Sequence, residues 1–232
     1  MRIYALSPLD SKLQTWSRRL KIPLAYSPNT LNKIIAITDG HPDDTVMLIL
    51  THKLDGEKVV GALKTRFTMI GGIKSILKIM PEQFKQIEAI LFTLDQNTKD
   101  LSELWEEIVD TFKQNSTLLE MLTLDGSNRV RVFKCRVVRE FSALVVINGL
   151  NYNYTRHTIE DHLIEALKNV DEESVKNALN SSRNDPKAAW RNLTRNKEFY
   201  KEIFKRLLNM SIGELKRIFP QHILSLQHFM KM

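Results

Sequence analysis

Cysteine is almost missing from these 232 residues: only Cys135 is present, which excludes an internal disulfide and any cysteine-rich zinc site. It stands in the alternating stretch RVRVFKCRVV, where a small half-buried hydrophobe is the expected role rather than a nucleophile. Glycine is scarce, at eight, and no low-complexity tract or repeat is visible, which excludes collagen-like, linker-like and solenoid chains. Long apolar runs are lacking as well. VMLIL at 46–50 and ALVVI at 143–147 are the longest, far short of the roughly 20 residues that a membrane helix needs. The N-terminal MRIYALSPLDSK has too short an apolar segment for a secretory signal, so a soluble cytoplasmic protein without a membrane partner is expected.

What is there is an ordinary folded composition, 43% hydrophobic and 26% charged, in a chain long enough for an average α/β domain with a helical appendage. Basic residues outnumber acidic ones, 34 to 27, for a net charge of +7. From Val170 to Met232 there are twelve Lys/Arg against seven Asp/Glu, so the tail carries +5 of that excess. A basic tail suits a polyanion such as DNA or RNA, and it also serves plain solubility.

Along the chain, RIYAL at 2–6 reads as a strand, 10–20 as a helix capped by Asp10, 29–37 as a short helix and 38–45 as a loop. VMLILTH at 46–52 reads as a buried strand and GEKVVGALKTRF at 56–67 as a helix. Gly71-Gly72 reads as a turn into a helix interrupted near Pro81. A strand at 89–94 and a helix at 100–113 follow, the latter with Leu101, Leu104, Trp105, Ile108, Val109 and Phe112 at spacings of three and four. RVRVFKC and ALVVING read as strands. The segment 157–169 reads as a helix with a capping box from Thr158 to Asp161, and everything after 170 has helical composition. The fold class expected is α/β, a mainly parallel sheet flanked by helices with a helical C-terminal extension.

Two strand ends carry candidate chemistry: His52, Lys53 and Asp55 after the first apolar run, and Asp95-Gln96-Asn97 after the second. In open α/β sheets ligands collect beyond the carboxyl ends of the strands. Gly71, Gly72 and Lys74 add backbone N–H groups and a cation of the kind that hold phosphate. Each signal has a plain alternative. Asp95, Asn97 and Asp55 serve as turn residues equally well, and Glu160 and Asp161 as favourable charges at a helix start. His157 and His162 are five apart, off the spacing of a zinc pair, and His41 lies in a loop. No Gly-x-Ser-x-Gly is present, and Gly126-Ser127 sits in a turn-like DGSN. In the tail, Phe199, Tyr200 and Phe204 have helical spacing and read as core. Arg191, Arg195, Lys201, Lys205 and Arg206 line the opposite side, where they are the candidate nucleic-acid contacts.

The order VMLILTHKLDGEKVVGAL, IGGIKSIL, AILFTLDQNTKDLSELWEEIVDTFK and ALVVING followed by TIEDHLIEALK resembles the TOPRIM-related proteins of archaea and bacteria, over roughly 46–169. On that resemblance 46–169 is a TOPRIM-like core, 1–45 an N-terminal segment that joins the sheet or stands apart, and 170–232 a basic helical extension. Lys53, Asp55, Gly71, Gly72, Lys74, Asp95, Glu160 and Asp161 fall on the family pattern, Lys74 one place late. The resemblance implies Mg²⁺ as cofactor, held by Asp95, Asn97, Asp55, Glu160 and Asp161, with Asp95, Asp55 and Lys53 as catalytic residues and phosphate at Gly71, Gly72 and Lys74. Thr51 stands where the family has its glutamate, His52 where it has a glycine, and Asn97 replaces the second acid of its Asp-x-Asp pair. Mg²⁺ prefers carboxylate oxygens, so these departures imply a weakened metal site. The expectation is a nucleic-acid binding or processing protein with a degenerate Mg²⁺ centre and, where activity survives, phosphodiester hydrolysis. The alternative is a non-catalytic protein-interaction module on an α/β scaffold.

Overall fold

The computed structural model describes residues 1–5, 11–25, 34–38, 41–54, 58–64, 69–83, 87–124, 126–195 and 197–231. The elements in the sheet-forming part are β1 (Arg2–Ala5), α1 (Ser11–Leu20), β2 (Ile34–Thr38), α2 (Asp43–Lys53), β3 (Val59–Lys64), α3 (Met69–Gln83), β4 (Ala89–Asp95), α4 (Leu101–Asn115), β5 (Thr117–Thr123), β6 (Val130–Arg136), β7 (Glu140–Asn148) and α5 (Ile159–Lys168). The tail adds α6 (Glu172–Ser181), α7 (Pro186–Leu193), α8 (Lys197–Asn209), α9 (Ile212–Ile218) and α10 (Pro220–Lys231). One seven-stranded sheet runs in the order β1-β3-β2-β4-β7-β6-β5. Its first five strands are parallel, and β6 and β5 close it as an antiparallel ribbon. The α/β class with helices on both faces is as expected. No helix among the described residues is long and apolar enough to cross a membrane.

Two expected elements exchange types. VMLILTH is not a strand: it belongs to α2, whose residues Asp43 to Thr51 are all buried. A helix wrapped on every side by protein has no polar stripe, so its sequence shows no 3.6 period and imitates a buried strand. Thr51, β-branched, donates Oγ1–H to the Met47 carbonyl at 2.7 Å and so satisfies itself within the helix. The helix expected at 56–67 is corrected in its described part: 59–64 is β3, held between β1 and β2, while 56–57 and 65–67 lie outside the described residues. The short helix at 29–37 is corrected in its described part, since Ile34–Thr38 forms β2; 29–33 lie outside the described residues. Gly71 and Gly72 stand inside α3, which continues through Pro81 to Gln83, rather than in a turn before it. β5 was not foreseen.

Each sheet face has its own apolar cluster. On one side α3 and α4 press Ile73, Leu77, Leu104, Trp105, Ile108 and Phe112 against Phe92, Phe133 and Val145. On the other, α1, α2 and α5 share a single cluster with the tail, from Met1 and Ile3 through Val46 and Leu163 to Phe204, Phe219 and Phe229. Residues 170–231 are thus a second helical layer on the core, and the N-terminal segment contributes β1 and β2 to the sheet. The direction in which strands are added to the sheet reverses at β2. The connection through α2 leads to β3 on one side, and that through α3 returns on the opposite face to β4 on the other side. The carboxyl ends of β2 and β4 flank a topological switch point, the usual place for a ligand crevice in such sheets.

Candidate functional site

The register of β4 on β7 sets Asp95 directly beside Asn148, so two polar tips end neighbouring parallel strands. The first turn of α2 brings Asp43 to the same rim, and the first turn of α5 brings Glu160. Asn148 joins them. Its Nδ2 donates to Asp43 Oδ1 at 2.8 Å and to Asp95 Oδ1 at 2.9 Å. Asp95, 3% exposed, also accepts from the Ile159 backbone N–H at 3.2 Å and, on Oδ2, from Lys187 Nζ at 3.4 Å.

Three helices of the tail each address the end of one parallel strand. Lys187 of α7 reaches Asp95 beyond β4. His222 of α10 meets Asn148 at the end of β7, Nε2 to Oδ1 at 2.8 Å. Since the Asn148 amide nitrogen is donating to two carboxylates, its oxygen is the acceptor, and His222 carries its proton on Nε2. Tyr200 of α8 bonds through its hydroxyl to Nε2 of His41, beyond β2. His41 Nδ1 is in turn 3.1 Å from Asp44 Oδ1.

Burial shapes the charges. Glu160, 4% exposed, has an Oε2 without a hydrogen-bond partner, and burial raises its pKa, with the Asp95 charge adding to the rise and Lys187 opposing it. For Lys187, burial alone would lower the pKa, but the charges of Asp95, Glu160 and Asp43 outweigh it and raise the value. Tyr200 is raised, first by burial and then by Asp44 and Glu160.

Gly149 follows Asn148 with φ of 127°, a region L side chains rarely adopt. A Cβ there would also lie 2.7 Å from the His157 Cβ and 2.9 Å from Arg129 Nη1. The chain therefore turns at Gly149 without a side chain. Gly149 N–H and Gln221 Nε2 both face His162 Nε2, at 3.3 and 3.0 Å. Nδ1 of that ring donates to the Ile218 carbonyl at 2.6 Å, tying α5 to α9.

The residues expected from sequence are dispersed. Asp95 and Glu160 do converge. Asp161 points elsewhere: it closes the capping box on Thr158 and accepts from Leu150 N–H and His157 Nδ1. Asn97, at φ of 58°, pairs its backbone with His157 as a turn residue does. Lys53 ends α2 at the amino edge of the sheet, beside Leu54, whose carbonyl binds the N-terminal ammonium. That is about 15 Å of helix from Asp43, so Lys53 is corrected away from the rim, because the run before it is helical. Asp55 lies outside the described residues. Gly71, Gly72 and Lys74 sit on α3, across the sheet from Glu160, with Lys74 exposed. Arg191, Arg195, Lys205 and Arg206 are exposed and Lys201 is half-buried, while Trp190 and Phe204 are buried as core.

The chain matches no protein-family model, no curated protein and no solved structure. Its site stands on geometry alone. Sequence reasoning missed Asp43, Asn148, Lys187 and His222; only Asn148, a polar residue ending an apolar strand before glycine, carried the signal that identified Asp95. Among the described residues no group of three or more His, Cys, Asp or Glu side chains is disposed to hold a metal ion. Mg²⁺ does not fit the rim as built, because the Asn148 amide, the Ile159 N–H and the Lys187 ammonium already face the Asp95 oxygens.

Proposed function

We propose that the protein binds nucleic acid through the outer surface of its C-terminal helices, and that the centre at Asp95 is a metal-free counterpart of a TOPRIM-like one. The observation that carries this reading is the Lys187 ammonium, 3.4 Å from Asp95 Oδ2, with its pKa raised by the charges of Asp95, Glu160 and Asp43. Phosphoryl transfer at such a rim needs a divalent ion on the carboxylates to stabilise the attacking or leaving oxygen. A lysine fixed by its own helix neutralises the same oxygens and offers no open coordination position. What serves a polyanion is the exposed basic set Arg191, Arg195, Lys205 and Arg206, since phosphate contacts need accessible cations rather than a closed pocket. Binding without cleavage is the consequence.

The test is binding and cleavage of labelled single- and double-stranded DNA and RNA over a salt series, with Mg²⁺, Mn²⁺ or chelator. Affinity is expected to fall linearly in log–log form with salt, and Arg191→Ala or Lys205→Ala to reduce the slope by about 1 each. Binding that ignores salt overturns the reading, and metal-dependent cleavage overturns its metal-free part.

A second reading, a protein-interaction module, is favoured by one feature. β5 is an edge strand whose Leu119, Met121 and Leu122 are 41%, 43% and 52% exposed. Unpaired edge groups flanked by apolar side chains are a template for strand addition.

A further inference from the structure

We propose that a cavity of about 940 Å³ beside the edge strand β1 is a second binding site, and that it takes a small aromatic anion of the class of a nucleoside monophosphate. Its volume is that of a small-molecule site, about 300–1,000 Å³. It shares no lining residue with the Asp95 rim or with the basic helices of the tail, so it goes beyond the function proposed for them.

The lining comes from the carboxyl end of β1, the second half of α1 and the stretch 21–25 that returns along β1. Hydrogen bonds fix these walls. Ser17 grips Ile22 twice, its Oγ donating to the Ile22 carbonyl at 2.6 Å and its own carbonyl accepting from the Ile22 N–H at 2.9 Å. The Ala25 N–H then donates to the Ile3 carbonyl at 2.8 Å and lays the return against the strand. Half-buried Tyr4 and Leu24 offer ring and apolar surface, while Gln14, Arg18 and Lys21 offer polar groups. No Asp or Glu is among the described residues that line the cavity, so its charge is of one sign.

Basic residues in the last turn of a helix also complement its dipole, and Arg19 is accounted for within the fold, its guanidinium lying 5.3 Å from the centre of the Trp16 ring. Arg18 and Lys21 differ. Both are exposed, and among the described residues no hydrogen bond or ion pair engages either side chain, or those of Gln14 and Tyr4. Lys21 also has φ of 56°, just after a helix end, where glycine or asparagine is the usual residue. A lysine thus stands where glycine would be less strained, and an ammonium beside the cavity is what it adds. Two free cations without a neighbouring acid suit a phosphate. The Tyr4 ring and Leu24 suit the face of a base, and the Gln14 amide can both donate to and accept from its edge.

The test is equilibrium dialysis of the full chain against radiolabelled AMP, GMP, CMP and UMP in chelator, with adenosine and inorganic phosphate as the two halves of the ligand. We expect at least one nucleotide to bind saturably, one per chain, with Kd below about 1 mM, and each half to bind at least about tenfold more weakly. Arg18→Ala and Lys21→Gly should each weaken that nucleotide by about tenfold or more, since each removes a charge-assisted contact. Lys21→Gly keeps the variant folded, because glycine suits the backbone there, and its Tm should equal or exceed that of the unaltered chain. Failure of all four nucleotides to saturate overturns the proposal. So does nucleotide binding that survives both Arg18→Ala and Lys21→Gly, or inorganic phosphate that binds as tightly as the nucleotide. Salt-dependent binding of DNA or RNA is measured on the same samples, and its presence or absence decides the proposed function without bearing on this cavity.

Discussion

The two faces of the sheet solve the same burial problem in different ways. Under α3 and α4 the cover is one layer thick. The buried set on α4 is Leu104, Trp105, Ile108, Thr111 and Phe112, and Thr111 bonds back to the Glu107 carbonyl at 2.8 Å. On the opposite face α2 is buried on all sides, which requires a second layer, and the tail provides it. Among the described residues the buried acids gather there: Asp43, Asp95 and Glu160 lie where the second layer closes over the strand ends. A single amphipathic layer leaves its polar residues in water, whereas a double layer traps those at its margin and forces them to find partners. The candidate site is thus a product of that second layer.

The largest effects should come from breaking each face at its centre. Phe112, fully buried and stacked on Phe133 with centroids 4.4 Å apart, should cost about 3–5 kcal/mol as Phe112→Ala, read from urea unfolding. On the other face Asp95→Ala removes the acceptor of Asn148, Ile159 N–H and Lys187 at once. We expect a loss of about 3 kcal/mol, with part of it restored in Asp95→Ala/Lys187→Met because the stranded ammonium goes too. A Phe112 variant has no such polar rescue. If Lys187→Met worsens Asp95→Ala, the ion pair is not what joins the tail to the rim.

The same contrast decides how much could be read in the sequence. The single-layer face was legible: α4 shows its apolar period at three and four residues, and β4 and β7 are apolar runs of strand length. The capping box from Thr158 to Asp161 announced α5, and it is present. On the double-layer face α1, α5 and the helical tail were legible, whereas α2 and β3 were not, because α2 has no exposed side to set a period and β3 between its neighbours is short and carries Gly61. At the site, Asp95 and Glu160 were visible as a strand tip and a helix start. Lys187 and His222 were not, since nothing local tells a lysine after Asp185-Pro186 or a histidine on α10 that it will meet a strand end far away in the chain.

Acid should loosen the double-layer face first. Burial pushes the His162 pKa down to about 4, against 6.5 unperturbed, and that of His222 well below its ordinary value. A histidine held neutral in the folded chain contributes stability that is fully present above pH 6.5 and is lost as pH falls toward about 4, where only the unfolded chain takes up the proton. The loss should approach about 3 kcal/mol over that window. His162→Phe should flatten this dependence, measured as urea midpoints against pH. Phe112→Ala should leave its slope unchanged, and an equal slope in both variants would remove the histidine from the account.

The smallest effect belongs to the edge strand, most of which neither face covers. β5 carries Leu122 at 52% exposure, opposite Val132 in register, while Leu118 of the same strand packs partly against the α3–α4 cluster. Leu122→Lys should shift unfolding by no more than about 0.5 kcal/mol. Leu118→Lys should cost several times that, because its side chain leaves an apolar surface. Lysine on an edge strand also opposes pairing with another chain. If β5 is a docking edge, Leu122→Lys should reduce self-association or partner capture in sedimentation experiments while leaving salt-dependent nucleic-acid binding as it was. Loss of both together would place the partner surface and the basic helices in one interface, and would remove the separation between the two readings of this chain.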